Sequence, residues 1–170
     1  MPESVQHTVL VPLSSSPYSR EILTAVQTFL LPQSTRLILF HVSRQPKSIS
    51  APGWKEVPEK RLEQGGAIPS LPEPIYASQQ EESIRAQVAA ELVAITQALE
   101  MAGYQIEVQV CFGDNVAEEI VRLVKENGIH LIAMSTHARE GVSRIVFGDI
   151  AQQILHDVHI PMLLLHPQVA

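Results

Sequence analysis

The sequence predicts an α/β domain built on an open, doubly wound parallel sheet with helices on both faces. Two features of the 170-residue chain carry that expectation. Short apolar, β-branched runs alternate strictly with segments of helical periodicity, five of the first kind and four of the second. Such alternation folds as parallel strands joined by right-handed crossovers. The other feature is the stretch Met134 to Asp149, MSTHAREGVSRIVFGD, which leaves a buried apolar run, crosses an irregular polar loop and opens a helix. A helix start of that kind offers free backbone N–H groups and the positive end of a dipole, the setting in which a phosphate sits.

The elements follow in order. His7 to Leu13, HTVLVPL, suits a buried strand. Ser14-Ser15-Ser16-Pro17 marks a turn, with Ser16 as N-cap and Pro17 at the first helical position. Ile22, Val26, Phe29 and Leu30 then share one helical face until Pro32 stops the helix. Arg36 to Val42, RLILFHV, has the length and flanks of an interior parallel strand. From Ser43 to Gln79 the texture changes, because six of the twelve prolines and three of the eight glycines fall there. Residues 43–79 therefore read as an insertion loop within a single domain of residues 1–170. Only Glu56 to Gln64 offers a helical turn or two, on Val57 and Leu62. A loop of this length is functional or mobile. It either folds over a pocket mouth, using Trp54 and Tyr76, or lacks order, and the spacing favours neither.

Order returns with a long helix, roughly Gln80 to Met101, striped by Ile84, Val88, Leu92, Ile95 and Leu99 and ended by Gly103. Ile106, Val108 and Val110 alternate as in a strand with one wetter face, which suggests an edge. Gly113-Asp114 opens the next helix with Asp114 as N-cap, Val116, Ile120, Leu123 and Val124 inward and Gly128 as the stop. Leu131 to Met134 ends an interior strand. Gly148-Asp149 is a turn plus N-cap, Gln152 makes a capping-box-like partner for Asp149, and Ile150, Ala151, Ile154, Leu155 and Val158 form the stripe of the last helix. Pro161 to His166 is the final, wholly apolar strand.

The loop around Ala138 and Gly148 resembles the universal stress protein family, which carries Gly-x-x-Gly, nine residues, then Gly-Ser/Thr in the same strand-loop-helix setting. The match includes Met134, Thr136-His137, Arg139, Gly141, Ser143-Arg144 and Gly148, with the same spacing of nine after Ala138, and the likeness runs from Thr8 to Pro167 apart from the insertion. The resemblance implies a Rossmann-like, adenine nucleotide alpha hydrolase-like fold with strand order 3-2-1-4-5, whose order reverses between strands one and four, where Leu13 and Ser135 would meet. It also implies a nucleotide pocket at Pro12, Leu13, Val42, Met134, Ser135, Ala138, Arg139, Gly148, Asp149 and Ile150. The chain departs from the pattern at four of these positions. Ser135 and Ala138 replace the two glycines, Asp149 replaces the terminal Ser/Thr, and Leu13 replaces the aspartate with which family members contact the nucleotide. Leu13 cannot accept a hydrogen bond from a ribose or a base. The Asp149 carboxylate is expected to occupy the phosphate's place and use its N–H groups.

Composition narrows the rest. A formal charge of −6 gives no broad basic face for nucleic acid or an anionic membrane, and no apolar run approaches the length of a membrane span. A cytoplasmic chain without a targeting segment is expected. Only 18% of residues are charged, below the usual quarter, which points to surface hidden in a homo-oligomer. In the family the last strand often pairs antiparallel with its twin, so a homodimer through Met162 to Leu165 is expected. The lone Cys111 lies in an apolar strand and reads as a packed thiol. Of seven histidines, His156, His159 and His166 cluster near the C-terminal helix and strand, but without a zinc spacing. Histidines near a helix C-terminus complement its dipole, and no metal is expected. The three serines Ser14 to Ser16 lack a nucleophile elbow, and Glu118-Glu119 reads as a solvated helix face.

Two function classes follow. One is a non-enzymatic, dimeric stress-response module that acts through protein contacts and uses no cofactor. The alternative is an ATP/ADP-binding switch or slow ATPase in the same pocket. A nucleotide-alpha-hydrolase-type enzyme is the weaker third, because no catalytic base or Walker-type lysine supports it.

Overall fold

Consecutive apolar residues in an interior strand need cover on both faces, and Val9 to Val11 and Leu37 to Phe40 are such runs. β1 (His7–Pro12), β2 (Thr35–Ser43), β3 (Gln105–Phe112), β4 (Leu131–Ser135) and β5 (Met162–Leu165) pair in parallel in the order β3-β2-β1-β4-β5. The helices are α1 (Ile22–Phe29), α2 (Pro74–Met101), α3 (Val116–Asn127) and α4 (Asp149–Asp157). The computed structural model describes residues 6–44, 74–136 and 148–167.

Strand alternation sorts the core into two layers. Val9 and Val11 of β1, with Leu37 and Leu39 of β2, pack beside Ile22 and Val26 of α1 and Val88, Leu92 and Leu99 of α2. Leu10, Ile38 and Phe40 point the other way, onto Ala117, Ile120 and Val124 of α3 and Ala151 and Ile154 of α4. The sheet is thus doubly wound, and β3, the alternating strand, stands at an edge as its pattern suggests.

Helix ends are where local sequence and structure differ. The first helix opens with a 3-10 turn, Pro17–Glu21, and Ser16 makes no side-chain cap. The turn is held by the Ser19 hydroxyl, which accepts from Ser14 N–H at 3.1 Å and donates toward the Ser16 carbonyl at 2.8 Å. Phe29, expected inside, is 71% exposed, and Leu23 packs in the core instead. α2 begins at Pro74, six residues before Gln80, so the helix takes in the end of the stretch expected to be loop. α3 is capped by Asn115 rather than Asp114, because the Asn115 side-chain Oδ1 accepts from both Ala117 N–H and Glu118 N–H. Gly128 ends α3 at φ 58°, in the left-handed region that favours glycine. In α4 the N-cap is Gly148, Asp149 is the first helical residue, and the cap makes no side-chain bond. Ile150 and Leu155, assigned to the inner stripe, are exposed. Trp54 and the Glu56 to Gln64 segment lie outside the described residues, as does the Tyr76 side chain.

Candidate functional site

Parallel strands in this order leave a crevice where β1 and β4 diverge into crossovers on opposite faces, at the C-terminal edge of the sheet. A cavity of about 450 Å³ occupies that position. Its floor is the strand ends: Pro12 of β1 with Leu13 just after it, Phe40 to Ser43 of β2, and Met134 and Ser135 of β4. Val116 and Ile120 of α3 and Ile150 of α4 form one wall, while Ser14, Ser15 and Ser19 edge the other. Arg44 lies at the rim. A smaller cavity of about 190 Å³ adjoins it, between Ser135-Thr136 and Gly148 to Ala151.

Leu13 is only 5% exposed and packs with the α1/α2 core layer. Its N–H donates to the Phe40 carbonyl at 2.8 Å, extending the β1/β2 ladder by one residue. Its own carbonyl accepts from His41 Nδ1 at 3.0 Å. A carbonyl can only accept, so His41 Nδ1 carries a proton, and among the described residues Nε2 has no hydrogen-bond partner. Ser135 buries its Oγ without a hydrogen-bond partner among the described residues, an uncommon state for a buried hydroxyl.

The α4 end of the site differs from expectation. Asp149 is exposed, its backbone is already helical, and its carboxylate makes no capping bond; with Gly148 at the cap, Gln152 lies one residue too far to complete a capping box. The helix-start N–H groups are therefore not taken by Asp149, whose charge still favours the dipole.

Eight of the ten anticipated pocket positions line one or both cavities: Pro12, Leu13, Val42, Met134, Ser135, Gly148, Asp149 and Ile150, with Leu13 and Ser135 meeting in the larger one. Gly148 and Asp149 belong to the smaller. Ala138 and Arg139 lie outside the described residues. His41, Arg44, Val116 and Ile120 were not anticipated. A period of two from Val42 points to Phe40, but His41 and Arg44 become site residues only because β2 lies beside β1.

Other groups singled out in the sequence have local roles. Burial, and next the Glu119 carboxylate, push the Cys111 thiol pKa up, and Cys111 packs against the α3/α4 layer. Glu118 accepts from the Asn115 amide at 2.8 Å and Glu119 pairs with Arg122, both within the first turns of α3. His156 bonds Asp157 at 2.8 Å on an exposed helix end. Among the described residues no three His, Cys, Asp or Glu side chains are grouped to hold a metal ion, and no helix is long and apolar enough to cross a membrane.

The family model described as the universal stress protein family matches residues 6–166. Solved structures share the fold. Universal stress protein UspA from Lactobacillus plantarum has a TM-score of 0.64 at 13% identity, covering 96% of this chain and 100% of that one. A universal stress protein family member from Burkholderia pseudomallei has a TM-score of 0.60 at 18% identity, over 98% and 100%. A family protein from Arabidopsis thaliana, solved with AMP bound, has a TM-score of 0.58 at 13% identity, over 95% and 92%. None of the curated proteins compared matches the chain in sequence. A family match over nearly the whole length, on a sheet of this order with its crevice at the β1/β4 reversal, means that this chain belongs to the universal stress protein family.

Proposed function

We propose that the protein is a small, dimeric, cytoplasmic stress-response module that works through protein contacts, is not an enzyme, and does not hold ATP. The observation that carries this reading is the chemistry of the 450 Å³ cavity: no carboxylate lines it among the described residues, and Leu13 stands where the resemblance calls for an aspartate. A ribose or adenine entering there loses hydrogen bonds to water and regains few, at a cost of roughly 1–3 kcal/mol for each polar group left unpaired. Asp149 adds repulsion at the phosphate end. Two unit charges about 4 Å apart repel by roughly 1 kcal/mol in water and roughly 4 at an effective dielectric of 20. Because Asp149 is exposed, the lower figure applies. Its carboxylate is not a cap, so no capping energy enters.

The test is direct. Denatured, clarified protein should release no adenine nucleotide on chromatography, and calorimetry at millimolar ATP should show no heat of binding. Combining Leu13→Asp, Ser135→Gly, Ala138→Gly and Asp149→Ser should create measurable affinity. The competing reading, an ATP/ADP-binding switch or slow ATPase, draws on the cavity volume, which lies in the range of small-molecule sites, and on the AMP bound by the Arabidopsis relative. Nucleotide recovered from the unaltered protein would establish it instead.

A further inference from the structure

We infer that the cavity binds a small organic monoanion, an apolar or aromatic body carrying one carboxylate or sulfonate, with Arg44 and His41 at the charged head. The inference rests on the reading that ATP does not fill the site. Three observations lead to it.

The first is charge. The chain carries 18 acidic and 12 basic residues, yet among the described residues the ionisable side chains lining this cavity are Arg44 and His41. One permanent cation, with the His41 imidazole beside it as a hydrogen-bonding group, balances a single negative head. A nucleoside triphosphate would bring several charges to it, with Asp149 nearby adding another.

The second is the wall. Leu13, Phe40, Val42, Ile120, Met134 and Ile150 surround the interior, and an apolar body gains by displacing water from such a surface while asking for no hydrogen bonds. The third is Ser135. Its Oγ is buried without a partner among the described residues, and the residue lines both cavities, so an unsatisfied hydroxyl lies just behind the junction of the two. Rotation about its Cα–Cβ bond turns that hydroxyl toward an anionic oxygen or its bound water in the cavity. His41 is already oriented, since Nδ1 is held by the Leu13 carbonyl at 3.0 Å.

The test compares two fluorescent dyes of matched shape on the full chain: 8-anilinonaphthalene-1-sulfonate and the uncharged N-phenyl-1-naphthylamine. The sulfonate should bind one per chain, roughly tenfold or more tighter than the neutral dye, the margin expected of charge-assisted hydrogen bonds. Arg44→Gln with His41→Asn should remove that margin while leaving the neutral dye's affinity and the thermal midpoint unchanged. Arg44 is exposed, and the amide introduced by His41→Asn can still donate to the Leu13 carbonyl, so the double variant should fold. Octanoate and 3-phenylpropionate should displace the sulfonate dye, and the matching alcohols should not. Equal affinities for the two dyes, or a margin that survives the double variant, overturns the inference and leaves the proposed function standing. Displacement of the dye by millimolar ATP overturns the proposed function and the monoanion assignment with it.

Discussion

Leu13 is the residue at which packing and binding diverge. Its side chain belongs to the α1/α2 core while its backbone sets the His41 ring, so a substitution tests both. Leu13→Asp alone should lower the free energy of unfolding by roughly 2–5 kcal/mol in urea at pH 7, the range for lost apolar contacts plus a poorly solvated carboxylate. The deficit relative to the parent should shrink at acid pH, because burial favours the neutral carboxyl. An equal deficit at both pH values would mean that water reaches the new side chain. Asn115 supports a simpler forecast. Asn115→Ala should destabilise by about 1 kcal/mol while Asp114→Ala has little effect, since only Asn115 caps α3; the reverse ranking of thermal midpoints would restore the cap that local sequence suggests. On the far strand, the Gln109 amide, and then Arg36, hold the Glu107 carboxyl below its ordinary value of 4.5. A lowered folded pKa gives stability that is present above the unfolded value and lost as pH falls through the folded one. Glu107→Gln should therefore cost less than about 1 kcal/mol at pH 7, given its solvent screening, and nothing once the pH is below both values.

At the scale of elements, α2 outgrows the strand it leads into. Its 28 residues span about 42 Å at 1.5 Å per residue, whereas the 8 residues of β3 span about 26 Å. Ile84, the first described residue of α2 that packs on the core, lies 17 residues before Met101, a rise of about 26 Å that matches the strand. Arg85 fastens that level, donating to the Val110 carbonyl at 2.7 Å and stacking over Phe112 at 4.9 Å. No described side chain of α2 before Ile84 appears in either core layer. Replacing residues 45–78 with a short Gly/Ser linker should therefore leave a cooperative thermal transition, because closing a surface loop costs entropy that grows only slowly with length; a broad, non-cooperative melt would show that the segment packs into the core. Much of this architecture was legible in the sequence, because periods of two and 3.6 survive wherever a whole face is buried, as in Leu10/Ile38/Phe40 against Ile120/Val124. Caps were not. Asp114 and Asn115 are both good cap residues, and the choice falls to the end of β3, where Gly113 N–H donates to the Ser43 carbonyl at 3.0 Å. The cavity was legible where the resemblance named its strand ends. Arg44 and His41 were not, since their place depends on a neighbouring strand rather than on nearby residues.

For the whole molecule, the proposed dimer comes down to β5. It is the sheet edge opposite β3, and all four of its side chains are half-buried, Leu163 and Leu165 on one core layer and Met162 and Leu164 on the other. Its backbone is asymmetric. The carbonyls of Pro161 and Leu165 accept from Ile132 N–H and Thr136 N–H of the β4 side, so by alternation Leu163 also faces β4, while Met162 and Leu164 direct their N–H and C=O groups away from the sheet. Outward groups on a short apolar edge are a template for a second strand, and in the dimer we propose, a twofold axis beside β5 would pair Met162 to Leu165 with its own copy. The low fraction of charged residues, 18%, fits an edge covered in this way. A proline at an outward position removes a donor to the partner and none to β4, whereas a proline at an inward position breaks the sheet's own ladder. Leu164→Pro should thus shift the chain from dimer to monomer in sedimentation velocity at micromolar concentration while keeping its circular dichroism. Leu163→Pro should instead lower the thermal midpoint, because it removes an N–H that the β4/β5 ladder uses. An unaltered chain that sediments as a monomer would rule out the edge-paired dimer, and a Leu164→Pro variant that stays dimeric would place the interface on another surface.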